Sequence, residues 1–308
     1  MTEVLADQAA GLRQLLRGGR PRSITIASAS PRAGCSAVAA NLAVSLAHEG
    51  RSVLVFDWSG GVKGVGWLLG VDPGPDLLNV LRGSRQPQDV CATGNAGVRV
   101  VTAERTAAAL ANLSLVEVVR LEQTVEALQA GANVVIIDAG TNDLPACAAA
   151  DDLMLVTEAD AQSVIGTYRL VKRLTAVCGR RRANVLMNRV RIPAQADRFF
   201  GNLCTTAERF LNVTLELRGR IPNDDCVERA TQLRQIVVEA FPGAPSSKML
   251  RNCAQIMLRA PELGRQQGSG VFAGRLIAVA RTLGEPKKPL APAHSTPVTM
   301  QPSKTTLE

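Results

Sequence analysis

Short apolar runs alternate with amphipathic segments along most of the chain. Six runs rich in Val, Ile and Leu have the length and composition of buried strands, and most of the segments between them repeat apolar residues at helical spacing. This alternation predicts a single α/β domain with a doubly wound, mostly parallel sheet covered by helices on both faces. The predicted strands are SITIASA (23–29), SVLVFD (52–57), VRVVTA (98–103), NVVIIDAG (133–140), DLMLVTEA (152–159) and ANVLMNRV (183–190).

The two ends of the chain differ from this pattern. Over residues 3–17, Leu5, Leu12 and Leu16 fall on one face of a short amphipathic helix, which the glycines and proline of RGGRPR then end. The last residues are rich in Pro, Ser, Thr and Lys and offer little to bury. We therefore predict an N-terminal helix and linker at 1–22, an α/β domain at 23–283 and a disordered tail at 284–308.

Composition indicates which partners and which cellular compartment to expect. The net charge of +8 favours acidic partners, although an arginine-rich soluble protein has the same charge, and no specific nucleic-acid contact is expected. The seven cysteines are irregularly spaced and form no C-x-x-C pair, which fits a reducing compartment and no disulfide framework. The N-terminus lacks the continuous apolar core of a signal peptide, so we expect a cytoplasmic protein.

The segment SPRAGCS follows the first predicted strand and precedes a predicted helix, SAVAANLAVSLAHEG. This layout is typical of a phosphate-binding loop, in which Gly34 supplies a tight turn and the Ser36 hydroxyl holds magnesium. The lysine of such a loop is replaced by Cys35, and a neutral thiol cannot stabilise triphosphate charge. From the loop alone, a strand–loop–helix without any ligand is an equal alternative.

Two aspartates follow strands in the same part of the chain. Asp57 ends the second predicted strand, and Asp138 ends NVVIID. A carboxylate there can accept from magnesium-bound water, although aspartate also ends strands as a cap or turn former. Because both lie downstream of the loop, together they favour a nucleotide-binding fold.

At these motifs the chain resembles the MinD/ParA group of deviant-Walker P-loop ATPases, and within it most closely the flagellar number regulators FlhG and FleN. The group's loop K-G-G-V-G-K-[ST] falls on 30–36, VLMNRV resembles the strand whose Asn-Arg lies against the purine, and RGRIPND resembles the group's LG-x-IP-x-D turn. The resemblance covers about residues 3–283 and implies ATP or ADP with magnesium. The residues implied are Gly34, Cys35, Ser36, Asn188 and Arg189 for the nucleotide, and Ser36, Asp57 and Asp138 for magnesium.

The departures from the group concern its charged positions. The signature lysine falls on Ser30, the ordinary Walker lysine on Cys35, and the second aspartate of D-x-D on Ser59, while Pro31 removes one N–H from the loop. These losses predict a pseudo-ATPase that binds nucleotide weakly or not at all and has no catalytic residues. The alternatives are an active MinD/ParA-type ATP-binding switch and a MinD-like scaffold for another envelope machine.

The segment DQAAGLR resembles the DQA-x-x-LR segment with which FlhG proteins engage and stimulate the flagellar GTPase FlhF. This resemblance implies regulation of flagellar number or placement through an FlhF-type GTPase. It also admits a flagellar transcription regulator or a switch protein as a partner. The partner-binding residues implied are Asp7, Gln8, Ala9, Leu12 and Arg13.

Near the C-terminus, VFAGRLIAVARTL (271–283) predicts an amphipathic helix with Leu276, Val279 and Leu283 on one side. In MinD and FlhG proteins such a helix binds membrane, which implies peripheral contact with the inner face of the membrane. The alternative, which we prefer, is a helix that packs on its own domain. The basic run 180–182 could contact an acidic partner or nucleic acid. The default interpretation is a solvated loop.

Overall fold

One eight-stranded sheet organises the chain in the computed structural model, which describes residues 21–60, 63–259 and 272–284. The strand order is β3-β4-β2-β5-β1-β6-β7-β8, and every neighbouring pair is parallel except β3 with β4. The prediction of a doubly wound, mostly parallel sheet in one α/β domain is confirmed. The strands are β1 (Arg22–Ser28), β2 (Val53–Asp57), β3 (Cys91–Thr93), β4 (Arg99–Thr102), β5 (Val134–Thr141), β6 (Asp152–Glu158), β7 (Arg182–Val190) and β8 (Thr214–Pro222).

Helices cover both faces because the central strands are apolar on both sides. In β5, Val135 and Ile137 point into one core while Val134 and Ile136 point into the other. The helices are α1 (Cys35–His48), α2 (Val65–Leu68), α3 (Leu77–Leu81), α4 (Glu104–Ala109), α5 (Leu115–Gln129), α6 (Leu144–Ala149), α7 (Ala161–Cys178), α8 (Pro193–Leu211), α9 (Asp225–Gln232), α10 (Val237–Ala240), α11 (Pro245–Arg259) and α12 (Phe272–Gly284), with short 3-10 turns at Pro87–Val90, Asn95–Gly97 and Leu110–Asn112. Helices α1 and α11 pack on one face, and α5, α6, α7, α8 and α12 on the other.

Several elements are absent from the sequence-based prediction. Among them are the edge strands β3 and β8, the long helix α8 and the short helices α2, α4 and α6. Only Leu215 and Ile221 of β8 are fully buried, so this strand lacks the continuous apolar run of the central strands. In α8 the buried positions are mostly alanines, which mark a helical face only weakly.

Helix α12 corresponds to the predicted C-terminal amphipathic helix. Its apolar face, including Leu276 and Ile277, is buried against α5, α6 and the turn at Leu110–Asn112. Arg275 Nη2 lies 3.0 Å from a carboxylate oxygen of Asp151. Arg281 donates to the carbonyl of Leu113 at 3.0 Å. The apolar face is therefore covered by the domain, as in the interpretation we preferred. The predicted face was partly wrong, because Val279 is only half-buried and Leu283 is exposed.

The basic run before β7 is only partly solvated. Arg181 and Arg182 are exposed, but Arg180 is 8 % exposed and donates to the carbonyls of Ala148 and Ala150. The carbonyls at the end of α6 otherwise lack helical partners, and the guanidinium satisfies them. For Arg180 the expectation of a solvated loop was wrong.

Several predictions fall outside the described residues. The N-terminal helix with its partner-binding residues, the start of the C-terminal helix at 271 and the tail beyond 284 lie there. All seven cysteines lie within the described part and are free thiols. Over residues 21–60, 63–259 and 272–284, no helix is long and apolar enough to cross a membrane, and no cluster of His, Cys, Asp or Glu is arranged to hold a metal.

Candidate functional site

The loop between β1 and α1 lies at the carboxyl edge of the sheet, where ligands bind in folds of this type. Gly34 occupies the N-cap of α1 with φ 94°, a left-handed conformation that suits glycine. It offers no side-chain acceptor to the first N–H groups of α1. An N-terminus without such a cap can bind an anion through these groups and the helix dipole.

Cys35, the first residue of α1, fills the position of the Walker lysine. Its side chain is 7 % exposed, and burial raises the pKa of the thiol to about 12. The group is therefore neutral and points into the apolar core with Val38 and Ala39. The nearby arginine of the loop, Arg32, is exposed and has φ 62°, which is uncommon for a residue with a side chain.

Asp138 is the most deeply buried carboxylate of the site. It accepts a hydrogen bond from the Ser59 hydroxyl at 3.2 Å, and the Ser36 hydroxyl is near enough to lower its pKa. Its pKa is raised to about 6, mainly by burial and also by the charge of Asp57, against the hydrogen bonds that lower it. At pH 7 the carboxylate is therefore mostly ionised.

Asp57 lies beside Asp138 because the two strands pair in register at these residues. Its two oxygens accept the backbone N–H groups of Gly60 at 3.2 Å and Gly66 at 3.0 Å. A Cβ on Gly64 would lie 2.8 Å from one of these oxygens, so glycine is required there. Asp57 therefore holds the backbone that follows β2 in place, while its magnesium role stays a prediction.

Asn188 and Arg189 contact the loop from the end of β7. Asn188 Nδ2 donates to the carbonyl of Ala33 at 2.8 Å. Arg189 Nη1 donates to the carbonyl of Arg32 at 2.8 Å and to Glu158 Oε1 at 2.7 Å. Asn188 and Arg189 are the residues for which the family resemblance implies contact with the purine, and in the structure both bind the loop instead.

The residues fit a nucleotide with magnesium only in part. The uncapped start of α1 suits phosphate, and the Ser36 hydroxyl beside Asp138 suits a hydrated magnesium ion. Cys35 does not fit, since an active loop needs a cation there and the thiol is neutral and buried. Binding of phosphate groups is thus compatible with the site, whereas the positive charge of an active loop is missing at position 35.

Three further residues reach the loop or its supports. Ser28 donates to the carbonyl of Ser30 at 2.7 Å, and Asn142 donates to the carbonyl of Ala29 at 3.4 Å. Glu158 pairs with Arg189. Sequence reasoning missed Asn142 and Glu158 because no spacing along the chain marks side chains that meet only where different strands end. Ser28 differs from them, since it lies only two residues from its acceptor.

Comparison with known proteins gives relatives over most of the chain, although no protein-family model matches it. The antiactivator FleN of Pseudomonas aeruginosa is 33% identical over 226 residues, which is 72% of this chain and 81% of the relative. The flagellum site-determining protein YlxH of Helicobacter pylori is 22% identical over 268 residues, which is 84% of this chain and 90% of the relative.

Solved structures support the same fold. The MinC:MinD cell division complex of Aquifex aeolicus matches with a TM-score of 0.62 and 19% identity, covering 78% of this chain and 96% of that one. The septum site-determining protein MinD of Pyrococcus horikoshii with Mg-ADP matches with a TM-score of 0.58 and 18% identity, covering 78% and 96%. At these identities the matches show the fold alone.

Proposed function

The chain belongs to the MinD/ParA-related family that includes FleN and FlhG, and on this basis we propose that it regulates flagellar number or placement through protein contacts rather than through ATP hydrolysis. The relatives support the flagellar part of this proposal, since one is named an antiactivator and the other a flagellum site-determining protein. The part that concerns hydrolysis is supported by the site of this chain.

The observation that carries the pseudo-ATPase proposal is the state of Cys35. Phosphoryl transfer depends on cations placed against the charge that develops in the transition state. At the lysine position this chain has a buried thiol, which can never carry a positive charge and whose pKa of about 12 keeps it neutral. Ser30 and Ser59 replace two further charged positions of the family.

ADP or ATP could bind through polar groups that the site retains. The N–H groups at the start of α1 would hold phosphate oxygens, and Ser36 with Asp138 would orient magnesium and its water ligands. The uncapped start of α1 and the position of Ser36 beside Asp138 support this weaker activity, so a nucleotide-binding switch is the second candidate function.

Steady-state phosphate release and ATP titration calorimetry, with and without magnesium, test the proposal. We expect no turnover above background and weak or absent ATP binding. The matched variant carries Ser30→Lys and Cys35→Lys, and we expect it to bind ATP more tightly because it restores two cations. Turnover by the unchanged chain that disappears in Asp138→Ala would overturn the pseudo-ATPase proposal and favour the switch.

The proposed partner is an FlhF-type GTPase engaged by residues 1–22. The support is the close match of DQAAGLR to the FlhG segment. Gln8 can both donate and accept, and a glutamine can orient a catalytic water or loop in a GTPase. An apolar helical stripe suits docking into a groove of the partner.

A peptide of residues 1–22 should stimulate GTP hydrolysis by the FlhF-type protein of the same organism. Gln8→Ala should abolish stimulation by both the peptide and the full chain. Leu12→Ala should weaken binding by about 1–3 kcal/mol if it anchors the interface. A peptide that neither binds nor stimulates the GTPase would remove the support for this partner, while the hydrolysis result would stand independently.

A further inference from the structure

The loop between β1 and α1 is held from its carbonyl side. Four of its carbonyl oxygens each accept a hydrogen bond from a side chain outside the loop itself, and these side chains come from three different strands or strand ends. The pairs are Ala29 with Asn142, Ser30 with Ser28, Arg32 with Arg189 and Ala33 with Asn188.

Two of these donors are adjacent residues, which a regular strand would direct to opposite faces. Here the pairing of β7 with β8 shifts register between Met187 and Val190, and Arg189 has φ 51°. The irregularity lets Asn188 and Arg189 reach the same loop. Strand irregularities commonly redirect a side chain in this way, and strained backbone persists only where its surroundings hold it.

The backbone of the loop is also unusual where it contacts Asn188 and Arg189. Arg32 is also left-handed, with φ 62°, and its carbonyl is the one that Arg189 binds. Gly34 leaves room for the other donor, since a Cβ there would lie 2.6 Å from Asn188 Nδ2. Both sides of the contact therefore depend on unusual backbone conformations that would be costly without it.

We propose that Ser28, Asn142, Asn188 and Arg189 form a carbonyl clamp that fixes this loop in one conformation without a nucleotide. A phosphate ligand orders such a loop through its N–H groups. The carbonyl clamp acts on the opposite side of these peptides, so it does not engage the N–H groups of Ser30, Ala33 and Gly34 and needs no ligand. The fourth peptide, between Ser30 and Pro31, has no N–H. Glu158 is a positioning residue, because its pair with Arg189 orients the guanidinium towards the loop.

The consequence for regulation rests on the proposed function. If the protein acts by contacts and not by hydrolysis, a loop that keeps one shape gives its partners a constant surface. Asn188 and Arg189, for which the family resemblance implies contact with the purine, then hold the loop between β1 and α1 instead. The loop therefore keeps one conformation and does not respond to a nucleotide.

Cys35 provides a probe of the carbonyl clamp because its thiol is buried directly behind the loop. The full chain is treated with iodoacetamide under native conditions, and alkylation of each cysteine is followed by peptide mass spectrometry. Cys253 is the internal reference, since it is fully buried on α11 against β8 and reports unfolding of the whole domain. The variants are Asn188→Ala and Arg189→Ala, with Arg191→Ala as the matched control of an exposed arginine near the same strand end.

We expect each clamp variant to accelerate alkylation of Cys35 about three- to tenfold, the change that follows from the loss of one hydrogen bond in a local opening. Cys253 should react at an unchanged rate, and Arg191→Ala should change neither rate. Unchanged Cys35 reactivity in both clamp variants, or an equal acceleration of Cys253, would overturn the proposal.

Two additions keep this test decisive. Where Asn188→Ala does not fold, Arg189→Ala decides alone, since its side chain is half exposed and its loss leaves the core intact. Glu158→Gln should accelerate Cys35 alkylation less than Arg189→Ala does, because it removes only the orienting partner. No nucleotide is present in these measurements, so ATP turnover would overturn the proposed function without affecting this result.

Discussion

Asp138→Asn should stabilise the protein above pH 7, although it alters a residue at the centre of the site. The folded chain holds this carboxyl at a pKa of about 6, compared with an ordinary value of 3.8. That difference corresponds to about 3 kcal/mol of free energy of unfolding, which is lost as the carboxylate ionises in its buried position. An asparagine carries no charge, and its amide can still pair with the hydroxyls of Ser36 and Ser59.

The direction of the pH dependence follows from the raised pKa. Below about pH 4 the carboxyl is protonated in both the folded and the unfolded chain, so its stabilising contribution is complete. As the pH rises towards and through 6, the unfolded chain ionises freely while the folded chain resists, and the contribution is lost. The stability of Asp138→Asn relative to the unchanged chain should therefore rise between pH 4 and pH 7 and then level off.

Urea unfolding at pH 4.5, 6 and 8 measures this difference, and the comparison of the two chains cancels the titration of the groups that do not interact with Asp138. We expect Asp138→Asn to gain about 1–3 kcal/mol between the lowest and the highest pH. A variant that is less stable at pH 8, or a difference that does not change with pH, would refute the reasoning. Such a result would mean that the ionised carboxylate is stabilised by a contact that its burial and hydrogen bonds do not reveal.

Two further predictions concern stability. Leu276→Ala should lower the free energy of unfolding by about 2–5 kcal/mol in urea titration, because it leaves a cavity under α12; the partly exposed Leu283→Ala should cost about 1 kcal/mol or less, and equal losses would contradict the docked position of the helix. Arg32→Gly should raise the melting temperature slightly. The left-handed conformation of a residue with a side chain costs about 1–2 kcal/mol, which glycine avoids. Glycine in turn lowers stability by about 0.4–1 kcal/mol, because it increases the conformational entropy of the unfolded chain. A lower melting temperature would show that the Arg32 side chain itself stabilises the loop.

The central strands could be predicted from sequence because burial on both faces leaves a continuous apolar run, as in VVII of β5. The meeting of Ser36 with Asp138 was also predictable, since a loop after one parallel strand and the end of its neighbour share one edge of the sheet. The edge strands β3 and β8 were not predictable in this way, because an edge strand buries only some of its side chains.

The orientation of the polar groups in the site could not be read from the sequence. Nothing in SVLVFD indicates that both oxygens of Asp57 are taken by Gly60 and Gly66. Likewise, the contact between Asn188 and Ala33 depends on the left-handed backbone of the next residue, Arg189, and on a register shift against β8. These conformations result from packing between distant segments, which local propensity does not determine.

The position of β8 at one end of the sheet bears on the solubility of the protein. A strand with an unpaired edge is a template for addition of a strand from another chain, and such addition leads to aggregation. Along β8 the sequence sets Glu216, Arg218 and Arg220 at alternate positions and ends the strand with Pro222. Glu216 and Arg218 also pair with each other at 2.7 Å, so an incoming strand would have to bury or separate these charges. The polar and charged residues along β8 thus have two effects. They make the strand hard to predict from the sequence, and they disfavour association of the sheet with another chain.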